Sequence, residues 1–170
     1  MKRAFIVLGP ESSGTRLTTR LLIAAGCEGG DGRAQVWDTH TPTADLIVWR
    51  RSVPHGGEWP DIGRMLVQLE WEGYAPFVVI TIRDWLPTIR SQVANHPPGS
   101  EAEAIAHIRE AYRRIFNAIG ERPFDFANYD ALVARPQAAA DALLKRIGLP
   151  SVEGVPIFDG NAKHYKAVAA

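Results

Sequence analysis

The chain has 170 residues, 46% of them hydrophobic and 22% charged, and its 19 lysines and arginines balance its 19 acidic residues. This length predicts a single domain over residues 1–170 with a substantial core. The zero net charge argues against a general nucleic-acid or membrane-surface binder, so any recognition of anions must be local. Cys27 is the only cysteine, which excludes an intramolecular disulfide and a multi-cysteine metal site.

The first apolar run is short, because Gly9-Pro10-Glu11 interrupts it after residues 4–8. A run of that length is too short for the hydrophobic region of a signal peptide. No other stretch approaches the roughly 20 apolar residues that a membrane-spanning helix needs. Together with the lone cysteine, these features predict a cytoplasmic protein without a membrane partner.

Short apolar runs alternate with helical patterns along the chain. They predict strands at residues 4–8, 45–49, 76–82 and 124–127, and helices at residues 14–25, 61–73 and 86–94, after Ser100, and on both sides of Pro136. Residues 29–43 show no clear period and are predicted to form a loop. Strands without internal alternation, separated by helices, are typical of a parallel sheet covered on both faces. The predicted fold is therefore a three-layer α/β/α domain with a mainly parallel central sheet.

The segment from residue 5 to residue 20 has the order strand, Gly-rich loop, helix. Gly9 and Gly14 are separated by four residues, as in a nucleotide-binding P-loop, and the amide groups at the new helix N-terminus would face a bound anion. An NTPase would continue with Lys and then Ser or Thr, whereas this chain has Thr15 and Arg16. We therefore predict a P-loop NTPase-like fold whose loop binds phosphate, but not ATP with magnesium in the usual way. Alternatively, the glycines form only a tight strand-to-helix connection.

A second pair of residues follows the strand predicted at residues 76–82. Arg83 lies at the carboxyl end of this strand, on the same sheet edge as the Gly-rich loop, and Ser91 lies in the helix that comes next. A guanidinium and a hydroxyl that converge there could hold a second phosphate. In the alternative interpretation, Arg83 pairs with Asp84 and Ser91 lies on a solvated helix face.

These two segments together resemble the sulfotransferases that use 3′-phosphoadenosine 5′-phosphosulfate (PAPS). The loop Ser12-Ser13-Gly14-Thr15-Arg16 is similar to the 5′-phosphosulfate loop of that family. Arg83 and Ser91 match the pair that holds the 3′-phosphate, and residues 126–136 resemble the late strand and helix of the family. The resemblance implies that PAPS is bound by Glu11, Ser12, Ser13, Gly14, Thr15, Arg16, Arg83, Ser91 and Lys163.

The resemblance also implies in-line transfer of a sulfuryl group to a hydroxyl or amine of a small-molecule or glycan acceptor. The product of the donor would be 3′-phosphoadenosine 5′-phosphate (PAP), and no metal would be required. Ser12 departs from the family pattern, because it occupies the position of the Lys or Arg that neutralises charge on the bridging oxygen. Arg16, Arg20, Arg50 or Arg51 could replace that cation.

The acceptor needs a general base, and His55 is the first candidate. It follows the second predicted strand, close in sequence to Arg50 and Arg51, so the predicted catalytic set is His55, Arg16 and Arg51. Alternatively, His55 is an ordinary surface-loop histidine. Glu11, Asp38 and His40 are further candidates for the base, whereas His96 and His107 are expected to be structural or exposed.

Two other functions fit parts of the sequence. In a P-loop kinase or other NTPase, Asp84 would be the carboxylate linked to magnesium. In a non-catalytic nucleotide-binding module, Ser12 would mark the loss of the transfer chemistry. The sequence does not specify the acceptor, and the chain is expected to be a monomer or a homodimer.

The tryptophans give separate expectations about packing. Trp49 and Trp71 are predicted to lie in the core, and Trp85 is expected to pack on the protein rather than on an adenine. Trp37 and Trp59 fall in predicted loops near the expected cleft, where they could line an acceptor site.

Overall fold

The computed structural model describes residues 2–30, 43–96, 99–154, 157, 159 and 160. Within these ranges the strands are β1 (Lys2–Gly9), β2 (Glu28–Gly29), β3 (Leu46–Ser52), β4 (Tyr74–Ile82) and β5 (Phe124–Asn128). The helices are α1 (Thr15–Ala24), α2 (Ile62–Trp71), α3 (Trp85–Asn95), α4 (Glu101–Ile119), α5 (Tyr129–Ala134) and α6 (Pro136–Arg146).

The strands form a parallel sheet in the order β2-β3-β1-β4-β5, which confirms the predicted α/β fold. At the carboxyl end of β1, Leu8 is in register with Ile80, and Gly9 with Ser52. The chain places β2 and β3 on one side of β1 before it crosses to β4 and β5 on the other. The loops that follow β1, β3 and β4 therefore meet at a topological switch point, where open α/β sheets bind their ligands.

The core explains why the strands carry no hydrophobic alternation. Ile6 and Leu8 pack with α2 and α4 on one face of the sheet, whereas Phe5 and Val7 pack with α1 and α6 on the other. Both faces of β1 are thus removed from water, and every residue from Ala4 to Leu8 is buried. A strand covered on both sides needs apolar residues at every position.

The helices begin and end where the local sequence predicts. The Ser100 side chain accepts a hydrogen bond from the Glu103 amide at 3.2 Å, and the Glu103 carboxylate accepts one from the Gly99 amide at 2.8 Å, so Ser100 caps α4. Gly26 and Gly148, after α1 and α6, have φ of 99° and 70°, a left-handed conformation that suits glycine at a helix end.

Strand β2 lies partly in the region predicted to be a loop. A strand of two residues is too short to show a period, so the sequence pattern misses it. Its position requires glycine, because a Cβ on Gly29 would lie 2.3 Å from the Val48 carbonyl oxygen. Strand β3 is also longer than predicted, since it continues past Trp49 to Ser52.

The tryptophans only partly follow the expectations. Trp49 is buried in the core as predicted, with 5% exposure, but the prediction for Trp71 is wrong, because Trp71 is 89% exposed. It lies two residues beyond Leu69, about 200° around the helix from the face that α2 buries. Trp85 is 43% exposed, so its ring is only partly packed. Trp37 lies outside the described residues.

Trp59 packs against the core, away from the expected acceptor site. Its ring meets the His107 ring edge-on at 5.7 Å, and the Arg114 guanidinium lies 4.5 Å from its centre. Both partners belong to α4. Among the helices that the structure describes, none combines the length and apolar character needed to cross a membrane.

The difference in burial between Trp49 and Trp71 predicts different effects on the stability of the fold. We expect Trp49→Ala to lower the free energy of unfolding by about 3–5 kcal/mol, because it leaves a large cavity in the core. Trp71→Ala should change it by less than about 0.5 kcal/mol, since the ring is in water. Urea denaturation followed by circular dichroism measures both values, and equal losses would contradict this difference in burial.

Candidate functional site

A cleft of about 770 Å³ lies at the carboxyl edge of the sheet. That volume is within the range of small-molecule and cofactor sites. Seven of the residues predicted from the sequence to bind a ligand or act in catalysis line it: Glu11, Ser12, Gly14, Thr15, Arg16, His55 and Arg83. The structure therefore brings the Gly-rich loop, the end of β4 and the loop after β3 around one space.

The loop after β1 is held in place by a contact with β4. Ser13 Oγ and Thr81 Oγ1 are hydrogen-bonded at 2.5 Å in a buried position, and a Cβ on Gly9 would lie 2.0 Å from Thr81 Oγ1. Ser13 thus anchors the loop and does not line the cleft. Ser12 has φ of 67°, a left-handed conformation that costs a non-glycine residue on the order of 1–3 kcal/mol. Contacts with neighbouring residues must therefore stabilise this backbone conformation of Ser12.

Arg83 and Ser91 supply those contacts. Arg83 Nη1 donates to the Ser12 carbonyl oxygen at 2.6 Å, and Ser91 Oγ donates to Ser12 Oγ at 2.9 Å. Ser91 is 9% exposed, which excludes the alternative of a solvated helix position. The predicted phosphate-binding pair and the predicted phosphosulfate loop therefore meet at Ser12.

Tyr129 forms a wall of the cleft that the sequence analysis did not single out as a site residue. Its ring lies directly on the loop, because a Cβ on Gly14 would be 2.4 Å from Tyr129 Cδ2. The Arg83 guanidinium is 4.6 Å from the ring centre, and the Tyr129 hydroxyl accepts a hydrogen bond from the Gly160 amide at 2.8 Å. Tyr129 lies within residues 126–136, the stretch that resembles the late strand and helix of the family, and this resemblance is the signal that points to it.

The two arginines at the end of β3 lie on opposite faces of the sheet. Arg50 shares the face of Val48, which packs toward α1, and Arg51 shares the face of Trp49, which packs toward α2 and α4. Arg50 is 9% exposed and lines the cleft, whereas Arg51, the predicted catalytic residue, is not among the lining residues. Ser52 also lines it, with its Oγ 3.4 Å from Thr15 Oγ1.

Two further arginines reach the cleft from α1. Arg16 and Arg20 are one helical turn apart on its exposed side, and both line the cleft. With Arg50 and Arg83 they make its described surface strongly cationic, as a polyanionic ligand requires.

Glu11 connects three segments around the cleft. Its side chain is almost fully buried, with Oε1 accepting from the Gly56 amide at 2.7 Å and Oε2 lying 3.2 Å from His96 Nδ1. Its carbonyl oxygen accepts from Gln92 Nε2 at 2.7 Å. The loop after β3 and the end of α3 are thus both held to the residue that precedes Ser12.

His55, the predicted base, lines the cleft, and its backbone pairs with Glu58 through hydrogen bonds of 2.8 and 3.1 Å. Burial holds the pKa of His55 below its usual 6.5. The positive charges of Arg51 and Arg50 lower this pKa further, while Glu11 and Glu58 raise it in part. The neutral imidazole is therefore favoured near pH 7.

His96 lines the same cleft, although the sequence suggested a structural or exposed residue. Helix α3 ends at Asn95, in agreement with the helix end predicted at residue 94, and His96 Nδ1 then lies 3.2 Å from Glu11 Oε2. The sequence does not show this approach, because the two residues are far apart in the chain. His107 contacts Trp59, in keeping with a structural role. Asp38, His40 and Lys163 lie outside the described residues.

Asp84 is placed as a helix cap. Its Oδ1 accepts from the Leu86 amide at 3.0 Å, its own amide donates to Asp130 Oδ2 at 2.6 Å, and it is not among the residues that line the cleft. This geometry gives no support to the kinase alternative, which requires Asp84 near the phosphates. Within the described ranges, no group of three or more His, Cys, Asp or Glu residues could hold a metal ion.

A solved structure of similar architecture is the sulfotransferase domain from the curacin biosynthetic pathway. It matches with a TM-score of 0.55 over 95% of this chain and 76% of that domain, at 10% sequence identity. No family model matches the sequence, and no curated protein matches it significantly. At this identity, the likeness shows that the chain shares the fold of a sulfotransferase domain.

The electrostatics of His55 can be tested directly. We expect His55 to titrate below pH 6.5, and Arg51→Gln to raise its pKa, because the variant removes the stronger of two positive influences. Since the folded-state pKa is below the unfolded value, the stability from neutral His55 is complete above that value. It is lost as the pH falls toward the folded-state pKa.

NMR titration of the His55 ring protons measures the shift. Arg113→Gln, on the surface of α4, is the matched control and should leave this pKa unchanged. An Arg51→Gln variant with an unaltered His55 titration would contradict the assigned cause.

Proposed function

We propose that the protein is a PAPS-dependent sulfotransferase that moves a sulfuryl group to a hydroxyl or amine of an acceptor. The observation that carries this proposal is the convergence of Arg83 and Ser91 on Ser12, across 71 and 79 positions of sequence. The resemblance to the PAPS-dependent family assigns Ser12 to the phosphosulfate loop and Arg83 with Ser91 to the 3′-phosphate, so the contacts join the two predicted parts of one donor site. The shared fold of a sulfotransferase domain adds to this support.

The donor fits the charge of the cleft. Its 5′-phosphosulfate would be held by the backbone amides at the N-terminus of α1 and by the Thr15 hydroxyl, and its 3′-phosphate by Arg83 and Ser91. Tyr129 and Leu17, which also line the cleft, would contact the nucleoside. The four lining arginines offset the negative charges of PAPS.

Arg50 is the best replacement for the loop cation that is absent at Ser12. It is buried at the end of β3, on the same face as Ser52, whose hydroxyl lies near Thr15 at the start of α1. A cation in such a position can stabilise negative charge that develops on the oxygen between phosphorus and sulfur. Arg51 would act indirectly, through its charge near His55.

The transfer needs little covalent chemistry from the protein. The acceptor oxygen or nitrogen attacks sulfur, the bond from sulfur to the bridging oxygen breaks, and PAP leaves with the electron pair of that bond. A histidine of the cleft takes the proton of the acceptor. The protein contributes orientation, charge and this base.

Binding of PAP tests the donor site. We expect isothermal titration calorimetry to show PAP binding to the parent protein, and Arg83→Gln to weaken it by about 10–100-fold, because a hydrogen bond to a charged group contributes about 1.5–3 kcal/mol. Arg113→Gln, which removes an exposed arginine paired with Glu110, should bind PAP as the parent does. Absence of binding at millimolar PAP, or equally tight binding of ATP with magnesium, would contradict the proposal.

The role of Arg50 has its own test. With PAPS labelled in its sulfuryl group, we expect Arg50→Gln to lower the rate of label transfer by about 10²-fold, the usual effect of removing one group that stabilises transition-state charge. Arg51→Gln should lower it by less than about tenfold. A larger loss with Arg51→Gln would reverse the assignment of the two arginines.

A further inference from the structure

We propose that His96 takes the proton from the acceptor and that Glu11 is the residue that positions it. The proposal rests on the proposed sulfuryl transfer and adds the identity of the base. It replaces His55, the first candidate from the sequence, with a carboxylate–histidine pair that the sequence did not reveal.

The geometry of the pair carries the argument. Glu11 Oε2 lies 3.2 Å from His96 Nδ1, a distance from which the carboxylate can accept the Nδ1 proton and leave the lone pair on Nε2. Glu11 itself cannot turn away, because Oε1 is bonded to the Gly56 amide and its carbonyl oxygen to Gln92. A carboxylate that fixes the tautomer of a histidine in this way is the arrangement that prepares an imidazole as a base.

Burial separates the roles of the two residues. The Glu11 side chain is 6% exposed and the His96 side chain 28% exposed, so the carboxylate is shielded while the imidazole is open to the cleft. The imidazole can therefore meet an acceptor in the cleft, whereas the buried carboxylate cannot.

His55 has the opposite surroundings. Burial and the positive charges of Arg51 and Arg50 hold the pKa of His55 below its usual range, while Glu11 and Glu58 act in the opposite direction. A proton on the His55 ring would add positive charge near two arginines. His55 is therefore better suited to donate a hydrogen bond or shape the cleft than to hold the released proton.

The pair is also attached to the donor loop. Glu11 immediately precedes Ser12, and α3 holds Ser12 through Ser91, whose carbonyl oxygen accepts from Asn95 Nδ2 at 2.9 Å. His96 follows Asn95, so both members of the pair are anchored next to the predicted phosphosulfate site. A base must lie near the reacting group, and this attachment meets that requirement.

The balanced step is as follows. The acceptor O–H bond breaks and its proton goes to His96 Nε2, while the acceptor oxygen forms a bond to sulfur. The bond between sulfur and the bridging oxygen breaks, and PAP leaves with that electron pair. The products are the sulfate ester, PAP and an imidazolium held by Glu11.

The test uses the full chain with labelled PAPS, and with water and 4-nitrophenol as acceptor probes. We expect His96→Gln to lower the transfer rate by about 10²–10³-fold, the range of a lost general base, with unchanged PAP affinity. His107→Gln, a histidine outside the cleft, should transfer at the parent rate. Added imidazole should partly restore transfer in His96→Gly, which would not happen if His96 were merely structural.

Glu11 has a separate readout. Nitrogen-15 NMR of the parent protein should show the His96 ring protonated on Nδ1, and Glu11→Gln should remove that preference and lower the transfer rate by about 10–100-fold without loss of PAP affinity. If His96 of the parent protein carries its proton on Nε2, the proposed Glu11–His96 pair is wrong, even if the protein transfers the sulfuryl group.

Two outcomes separate this inference from the proposed function. Transfer that survives in His96→Gln but is lost in His55→Gln would overturn the pair and leave the sulfotransferase proposal intact. A parent protein that binds no PAP, or binds it and transfers no label to either probe, would overturn the proposed function and this inference with it.

Discussion

The buried hydrogen bond between Ser13 and Thr81 holds the loop after β1 against β4, and the cleft depends on it. The approach is so close that no side chain fits at Gly9. Next to the anchored Ser13, Ser12 has a left-handed conformation and presents its carbonyl and hydroxyl to Arg83 and Ser91, which hold it there. The Ser13–Thr81 contact thus helps to position the polar groups of Ser12, Arg83 and Ser91 at the cleft.

The buried carboxylate of Glu11 also holds the loops around the cleft together. A buried carboxylate in a cleft that carries four arginines is costly unless its oxygens are satisfied. The Gly56 amide donates to one oxygen and His96 Nδ1 lies 3.2 Å from the other, so the loop after β3 and the end of α3 both lie against the donor loop. The cationic surface remains available for an anion because the one acidic residue among the described lining residues is engaged elsewhere.

The sequence was sufficient for the fold and for the meeting of loops, because both follow from simple rules. Uninterrupted apolar runs predict strands buried on two faces, and parallel strands bring their carboxyl ends to one edge. The choice between Arg50 and Arg51 depends on the phase of β3, which cannot be set until the strand is known to continue to Ser52. His96 was missed because its approach to Glu11 joins two distant parts of the chain. Trp71 was misplaced because its apolar character does not show which side of the last helical turn it occupies.

The hydrogen bond from the Gly160 amide to the Tyr129 hydroxyl joins a residue near the end of the chain to the wall of the cleft. The Tyr129 ring also lies on Gly14, within the donor loop. A ligand that contacts the Tyr129 ring would therefore be linked to the Gly160 amide through the same side chain. If ligand binding strengthens that hydrogen bond, thermodynamic reciprocity requires the bond to strengthen ligand binding by the same factor. Tyr129 thus links the cleft to Gly160, 31 positions further along the chain.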